Sequence, residues 1–158
     1  MLVTRSAEQT RRVGELLGPQ LKPGDVVALT GDLGAGKTCL VQGVAHGLGV
    51  AEPVTSPTFN ILLVHRGRIP LYHFDLYRLE EENDLDDIGF YETVEGDGAS
   101  MIEWGERFAS ALPPDHLTVT IRLEGDDSRY LEIEPRGERS RALAAAWLRA
   151  CAEEGFDA

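Results

Sequence analysis

Eight consecutive residues carry the clearest chemical signal in the sequence: Gly31-Asp32-Leu33-Gly34-Ala35-Gly36-Lys37-Thr38. They fit the pattern G-x-x-x-x-G-K-[ST] without a mismatch, and each residue type has a physical task. Glycines reach backbone angles closed to other residues, so amide N–H groups can approach phosphate oxygens. A helix that begins at Lys37 would aim its positive dipole end at the same anion. The Lys37 ammonium is suited to neutralise the β- and γ-phosphates, and the Thr38 hydroxyl to ligate Mg²⁺. Backbone amides of Thr38 and Cys39 are expected to reach the inner phosphates, so Cys39 would serve through its main chain. The predicted nucleotide contacts in this loop are therefore Gly34, Ala35, Gly36, Lys37, Thr38 and Cys39. Only Lys22 and Lys37 among the 15 basic residues are lysines. A lysine at the motif's key position is correspondingly informative.

Such a loop also needs a carboxylate at a strand end to hold Mg²⁺ directly or through water. Two residues qualify: Glu103, which ends Ser100-Met101-Ile102, and Asp75, which ends Leu71-Tyr72-His73-Phe74. The residues alone leave the choice open, and a surface acid at a strand terminus competes with both. Thr55-Ser56-Pro57-Thr58-Phe59 places hydroxyls on a stiffened segment that could sense a γ-phosphate, against the plainer reading of a Ser/Thr turn. His73 reads as a packed strand residue and Trp104 as core. Arg78 and Arg129 are candidates for the triphosphate or the base.

These groups need a scaffold. Residues 6–18 read as a helix, with Ser6 and Gln9 forming a capping box and Gly18-Pro19 stopping it. Val26-Val27-Ala28-Leu29 is a continuous apolar run, the pattern of a buried strand. The helix after the loop spans 37–46. Runs at 61–64 and 69–74 flank a turn and predict a hairpin, and 117–123 with 130–133 predict a second. The stretch 80–87 is strongly acidic and reads as a solvated helix face. An alanine-rich amphipathic helix over 141–151 closes the chain. Together these predict an α/β sandwich with a mixed central sheet and β-hairpins, resembling P-loop NTPases, in one domain over 1–158.

Composition narrows the function classes. With 27 acidic against 15 basic residues, the net charge is −12, which opposes an unaided grip on nucleic acid phosphates. Any nucleic-acid role should pass through a basic partner. No apolar run approaches the roughly 18 residues of a membrane span, and no signal-peptide core is evident at the start. Cys39 and Cys151 lack metal-ligand spacing and read as free thiols. A cytoplasmic protein is expected.

Four segments, Gly-Asp-Leu-Gly-Ala-Gly-Lys-Thr (31–38), Ser-Pro-Thr-Phe (56–59), His-Phe-Asp-Leu-Tyr-Arg-Leu (73–79) and Ile-Glu-Trp (102–104), closely resemble the TsaE (YjeE) family. The resemblance covers most of the chain. It implies a P-loop ATPase that supports threonylcarbamoyladenosine modification of tRNA beside the anticodon, acting on a TsaB–TsaD complex. Contact with tRNA would be indirect, and a monomer is favoured. Carried over by position, the resemblance implies ATP and Mg²⁺ as ligands, with Thr38 and Glu103 holding the metal. Asp75 would be the second acid, needed for hydrolysis, together with Lys37 and Thr58. Residues 56–58 would be a mobile switch segment, and Arg129 a nucleotide-side arginine. A small-molecule kinase would use the same loop but needs an acceptor pocket and an arginine-bearing lid, for which the acidic 80–87 stretch is poorly suited. A nucleotide-dependent adaptor that does not hydrolyse ATP is the other rival.

All of these readings require the Lys37 ammonium. Lys37→Ala should abolish ATP binding in titration calorimetry, and parental affinity in that variant would remove the phosphate cradle.

Overall fold

A computed structural model describes residues 1–31, 36–54, 61–125 and 127–157, the side chains of Gly105 and Glu106 excepted. Its first helix, α1 (Ala7–Leu17), starts where the capping pattern predicts: the Ser6 side chain accepts from the Gln9 amide at 3.1 Å. The Gln9 side chain reaches back to the Arg5 amide at 2.8 Å, one residue earlier than in the usual box. The apolar run becomes strand β2 (Val26–Gly31), since β1 (Leu2–Thr4) precedes α1. Helix α2 (Lys37–Gly47) follows.

The two predicted hairpins form as β3 (Leu62–Arg66) with β4 (Pro70–Asp75), and β6 (His116–Glu124) with β7 (Ser128–Arg136). Between them lie two short helices, α3 (Asn83–Asp87) and α4 (Phe90–Val94), and strand β5 (Ala99–Glu103). Helix α5 (Glu138–Glu153) is longer than its alanine-rich stretch suggests. Its start is capped by a distant residue: Asp115 accepts from the amides of Arg139 and Ser140 at 2.8 and 2.9 Å. The acidic 80–87 stretch is only partly a solvated face, because Leu85 is fully buried within it.

The strands build one mixed sheet in the order β1-β7-β6-β2-β5-β4-β3. β2 runs parallel to both β5 and β6, and β4 runs parallel to β5. The remaining pairings are antiparallel. Alternation along each strand sorts side chains between two cores. Val27, Leu29, Leu71, Met101 and Leu117 pack with α1, α2 and α5 on one face. Val26, Phe74, Ile102, Leu85 and Phe90 fill the other face under α3 and α4. No helix among the described residues is long and apolar enough to cross a membrane.

The register has a direct consequence for the site. Leu29, Glu103 and Asp75 lie in one row across β2, β5 and β4. Because side chains alternate, His73, Asp75, Met101 and Glu103 face the same layer as α2. The carboxyl ends of β2, β5 and β4 and the amino end of α2 therefore meet, the usual place for a ligand in an open α/β sheet.

α2 is held in place through very close contact with α1. A Cβ on Gly43 would lie 2.0 Å from the Arg11 carbonyl oxygen, and one on Gly14 would lie 2.4 Å from that of Leu40. Any side chain there must push the helices apart. Gly43→Ala should cost about 2 kcal/mol, or roughly 4–8 °C in Tm, by thermal denaturation.

Candidate functional site

Two glycines bracket the loop. Gly31, the last residue of β2, has φ 139°, and a Cβ there would come 2.3 Å from the Ile121 carbonyl oxygen of β6. Gly36 precedes α2 at φ 110° and makes no side-chain cap. A glycine is required at both positions, for close approach at the first and for backbone angle at the second. The predicted contacts Gly34 and Ala35 lie outside the described residues, as does Thr58 with the rest of 55–60. The described residues on either side of that stretch, Val54 and Ile61, are both hydrogen-bonded to elements of the site. Gln42 on α2 donates to the Val54 carbonyl at 3.0 Å, and the Asp75 amide donates to the Ile61 carbonyl at 2.8 Å.

Lys37 opens α2 and is 7% exposed. Its Nζ donates to the Gly31 carbonyl at 3.1 Å and stands 4.7 Å from the centre of the Trp104 ring. Thr38 and Cys39 follow in the first turn, both half-buried. That turn holds no acidic residue and has no side-chain cap. Its amides and the helix dipole therefore suit an anion.

Opposite stand the two carboxylates. Glu103 is 5% exposed, and its Oε2 accepts from His73 Nε2 at 2.7 Å. Asp75 is half-buried and accepts from the Tyr77 amide at 3.1 Å. Burial pushes the Asp75 carboxyl above its usual range, and the nearby Glu103 charge adds to the rise. The Tyr77 amide, His73 and Lys37 pull the other way without cancelling it.

Arg129, on β7, stands against Gly36. A Cβ on Gly36 would meet its Nε at 3.0 Å. Its Nη1 donates to the Asp127 carbonyl at 2.5 Å, while its buried Nε has no partner among the described residues. A buried N–H left without an acceptor costs free energy, so this one suits an anionic ligand. Trp104, directly after Glu103, has φ 64° and is the only non-glycine residue with positive φ among those described. Such strain is of order 1–3 kcal/mol and tends to collect at functional sites. Its ring lies 5.0 Å from that of Tyr77. With Arg78, Glu80 and Arg107, these rings line an open groove of about 680 Å³. A separate hollow of about 240 Å³, bordered by Asp25, Asp115 and Arg139, lies at the other end of β2. There Asp25 is paired with Arg139 at 2.8 Å, a structural contact.

The described candidates thus converge: Gly36, Lys37, Thr38 and Cys39 at the head of α2, Asp75 and Glu103 at adjacent strand ends, and Arg129 against Gly36. This donor set fits a nucleotide with a divalent cation, because an uncapped helix end and an ammonium face oxygen ligands from two carboxylates. Sequence reasoning missed the His73–Glu103 bond and the Lys37–Trp104 contact. The two-residue spacing of His73 and Asp75 on one strand was the available signal for the first. Nothing local signals the second.

A family model described as "Threonylcarbamoyl adenosine biosynthesis protein TsaE" matches residues 4–131. The protein "tRNA threonylcarbamoyladenosine biosynthesis protein TsaE" of Treponema pallidum (strain Nichols) is 50% identical over 131 residues, covering 83% of this chain and 97% of the relative. Its Bacillus subtilis (strain 168) namesake is 40% identical over 141 residues, covering 89% and 88% respectively. Among solved structures, that of Bacillus subtilis YdiB superposes with a TM-score of 0.79 at 34% identity, covering 94% of this chain and 97% of that one.

The raised Asp75 pKa has a definite sign for stability. The folded state holds this proton to higher pH than the unfolded chain does. Stability is therefore lost as pH rises from the ordinary carboxyl range through the folded pKa. Asp75→Asn, which removes the charge but keeps an acceptor for Tyr77, should melt higher than the parent at pH 7. The gap should shrink as pH falls toward 4 in a series of thermal melts.

Proposed function

The chain belongs to the TsaE family of tRNA threonylcarbamoyladenosine biosynthesis proteins, and from that premise we propose that it binds ATP with Mg²⁺ and hydrolyses it slowly. Its nucleotide state would govern engagement with a TsaB–TsaD complex. The observation that carries this reading is the meeting of the uncapped α2 end and Lys37 with the Asp75–Glu103 row.

In this reading the first-turn amides of α2 and the Lys37 ammonium bind the phosphates, and Arg129 Nε closes the opposite side. Thr38 and Glu103 would hold Mg²⁺, which supplies charge neutralisation at the β- and γ-phosphate oxygens. Asp75 orients the attacking water by accepting a hydrogen bond from it and is placed to take up the proton that water releases. Thr58 and its neighbours would respond to the γ-phosphate. Lys37 must exchange its present partners, the Gly31 carbonyl and the Trp104 ring, for phosphate, a competition that would weaken nucleotide binding by the isolated protein. A partner seated near Trp104 would change that balance. Direct tRNA contact is opposed by the net charge of −12.

The test is release of inorganic phosphate from radiolabelled ATP, with and without TsaB–TsaD and again with tRNA. Turnover should be slow alone and rise at least about tenfold with the complex, a gain well inside what completion of a P-loop site supplies. Asp75→Ala should keep ATP affinity and lose hydrolysis. Rapid turnover indifferent to TsaB–TsaD, or label transferred to a metabolite instead of water, would overturn the proposal.

A further inference from the structure

Glu103 closes a central strand at 5% exposure, and a carboxylate so placed needs a partner to set its orientation. Its partner is the His73 ring, fully buried on the adjacent parallel strand β4, with Nε2 at 2.7 Å from Oε2. The ring's other nitrogen, Nδ1, is buried and has no partner among the described residues. A neutral imidazole carries one N–H, and a buried N–H without an acceptor costs about 1–3 kcal/mol. The proton therefore belongs on Nε2, donated to Glu103. The ring is fully buried, which restricts its movement: Met101 of β5 lies in register with His73, and the His65 ring of β3 stands 6.5 Å away between centroids.

We propose that His73 is a positioning residue for the cation site: by occupying one lone pair of Oε2, it fixes the Glu103 carboxylate so that its remaining lone pairs meet Mg²⁺. This rests on the reading of Glu103 as a metal ligand. Outer partners that orient metal ligands are worth about 10–100-fold in metal affinity. His73 is fully buried and bonds Glu103, so its effect should be confined to the metal.

The experiment measures Mn²⁺ binding to the protein complexed with a non-hydrolysable ATP analogue, by electron paramagnetic resonance. Affinity for the same analogue in excess chelator is measured alongside by calorimetry. His73→Leu should weaken Mn²⁺ about tenfold or more and leave the chelator affinity unchanged. His73→Gln, whose amide nitrogen falls near the Nε2 position, should restore most of the loss. His73→Asn, whose nitrogen falls near Nδ1, should not. If His73→Leu does not fold, the Gln and Asn variants decide the matter between them, and equal Mn²⁺ affinity in those two overturns the proposal. Parental Mn²⁺ affinity in a folded His73→Leu overturns it as well, provided Glu103→Gln loses the metal. Parental Mn²⁺ affinity in Glu103→Gln instead removes Glu103 as a ligand, and the positioning role falls with it.

Discussion

Lys37 carries a full charge into a position from which water is almost excluded, and much of the surrounding structure answers to that. A buried ammonium is costly unless its hydrogen bonds and charge are met. In this chain the carbonyl of Gly31 and the face of Trp104 meet them. Both depend on unusual backbone. Gly31 must pass so close to β6 that no side chain fits, and Trp104 adopts a left-handed conformation that a tryptophan rarely takes. The close α1–α2 packing through glycine fixes the direction from which Lys37 enters.

Charges of the opposite sign are gathered a few residues away. Asp75 and Glu103 share a register row, so neither can be moved to a different face without breaking the β4–β5 ladder. Each is stabilised differently: Glu103 by a buried imidazole, Asp75 by a backbone amide and partial solvent. The Glu103 charge adds to the rise in the Asp75 pKa, and Lys37 offsets it only in part, so the pair costs stability in the folded chain. The site thus concentrates like charge at a cost in stability, a pattern common where function needs it.

On the other side of the sheet, the second core serves mainly as support. Phe74 and Ile102 alternate with His73 and Glu103 and are fully buried under α3 and α4. Their burial pins the polar residues on the opposite face, because a slip of one residue would exchange the two sets. This explains why the acidic 80–87 stretch contains a buried leucine: Leu85 closes that second core, and the acids surround it on the outside.

Much of the architecture was legible locally. A continuous apolar run at 26–29, the glycine-rich loop after it, the capping pair Ser6 and Gln9, and two turn-bounded hairpins rest on periodicity and turn chemistry, which act over a few residues. The glycine-rich segment proposed to bind phosphate, with its lysine, was an equally local reading. What sequence could not decide was anything set by partners distant along the chain. The three-residue β1 owes its order to pairing with β7 and to a bond from Val3 to the Asp157 carbonyl. The start of α5 depends on Asp115, more than twenty residues earlier. His73 read as simple packing because its carboxylate partner is thirty residues away, on a strand whose register only the folded sheet defines. Residue type sets which chemistry is available. The register of parallel strands, a property of the whole sheet, decides which of those groups meet.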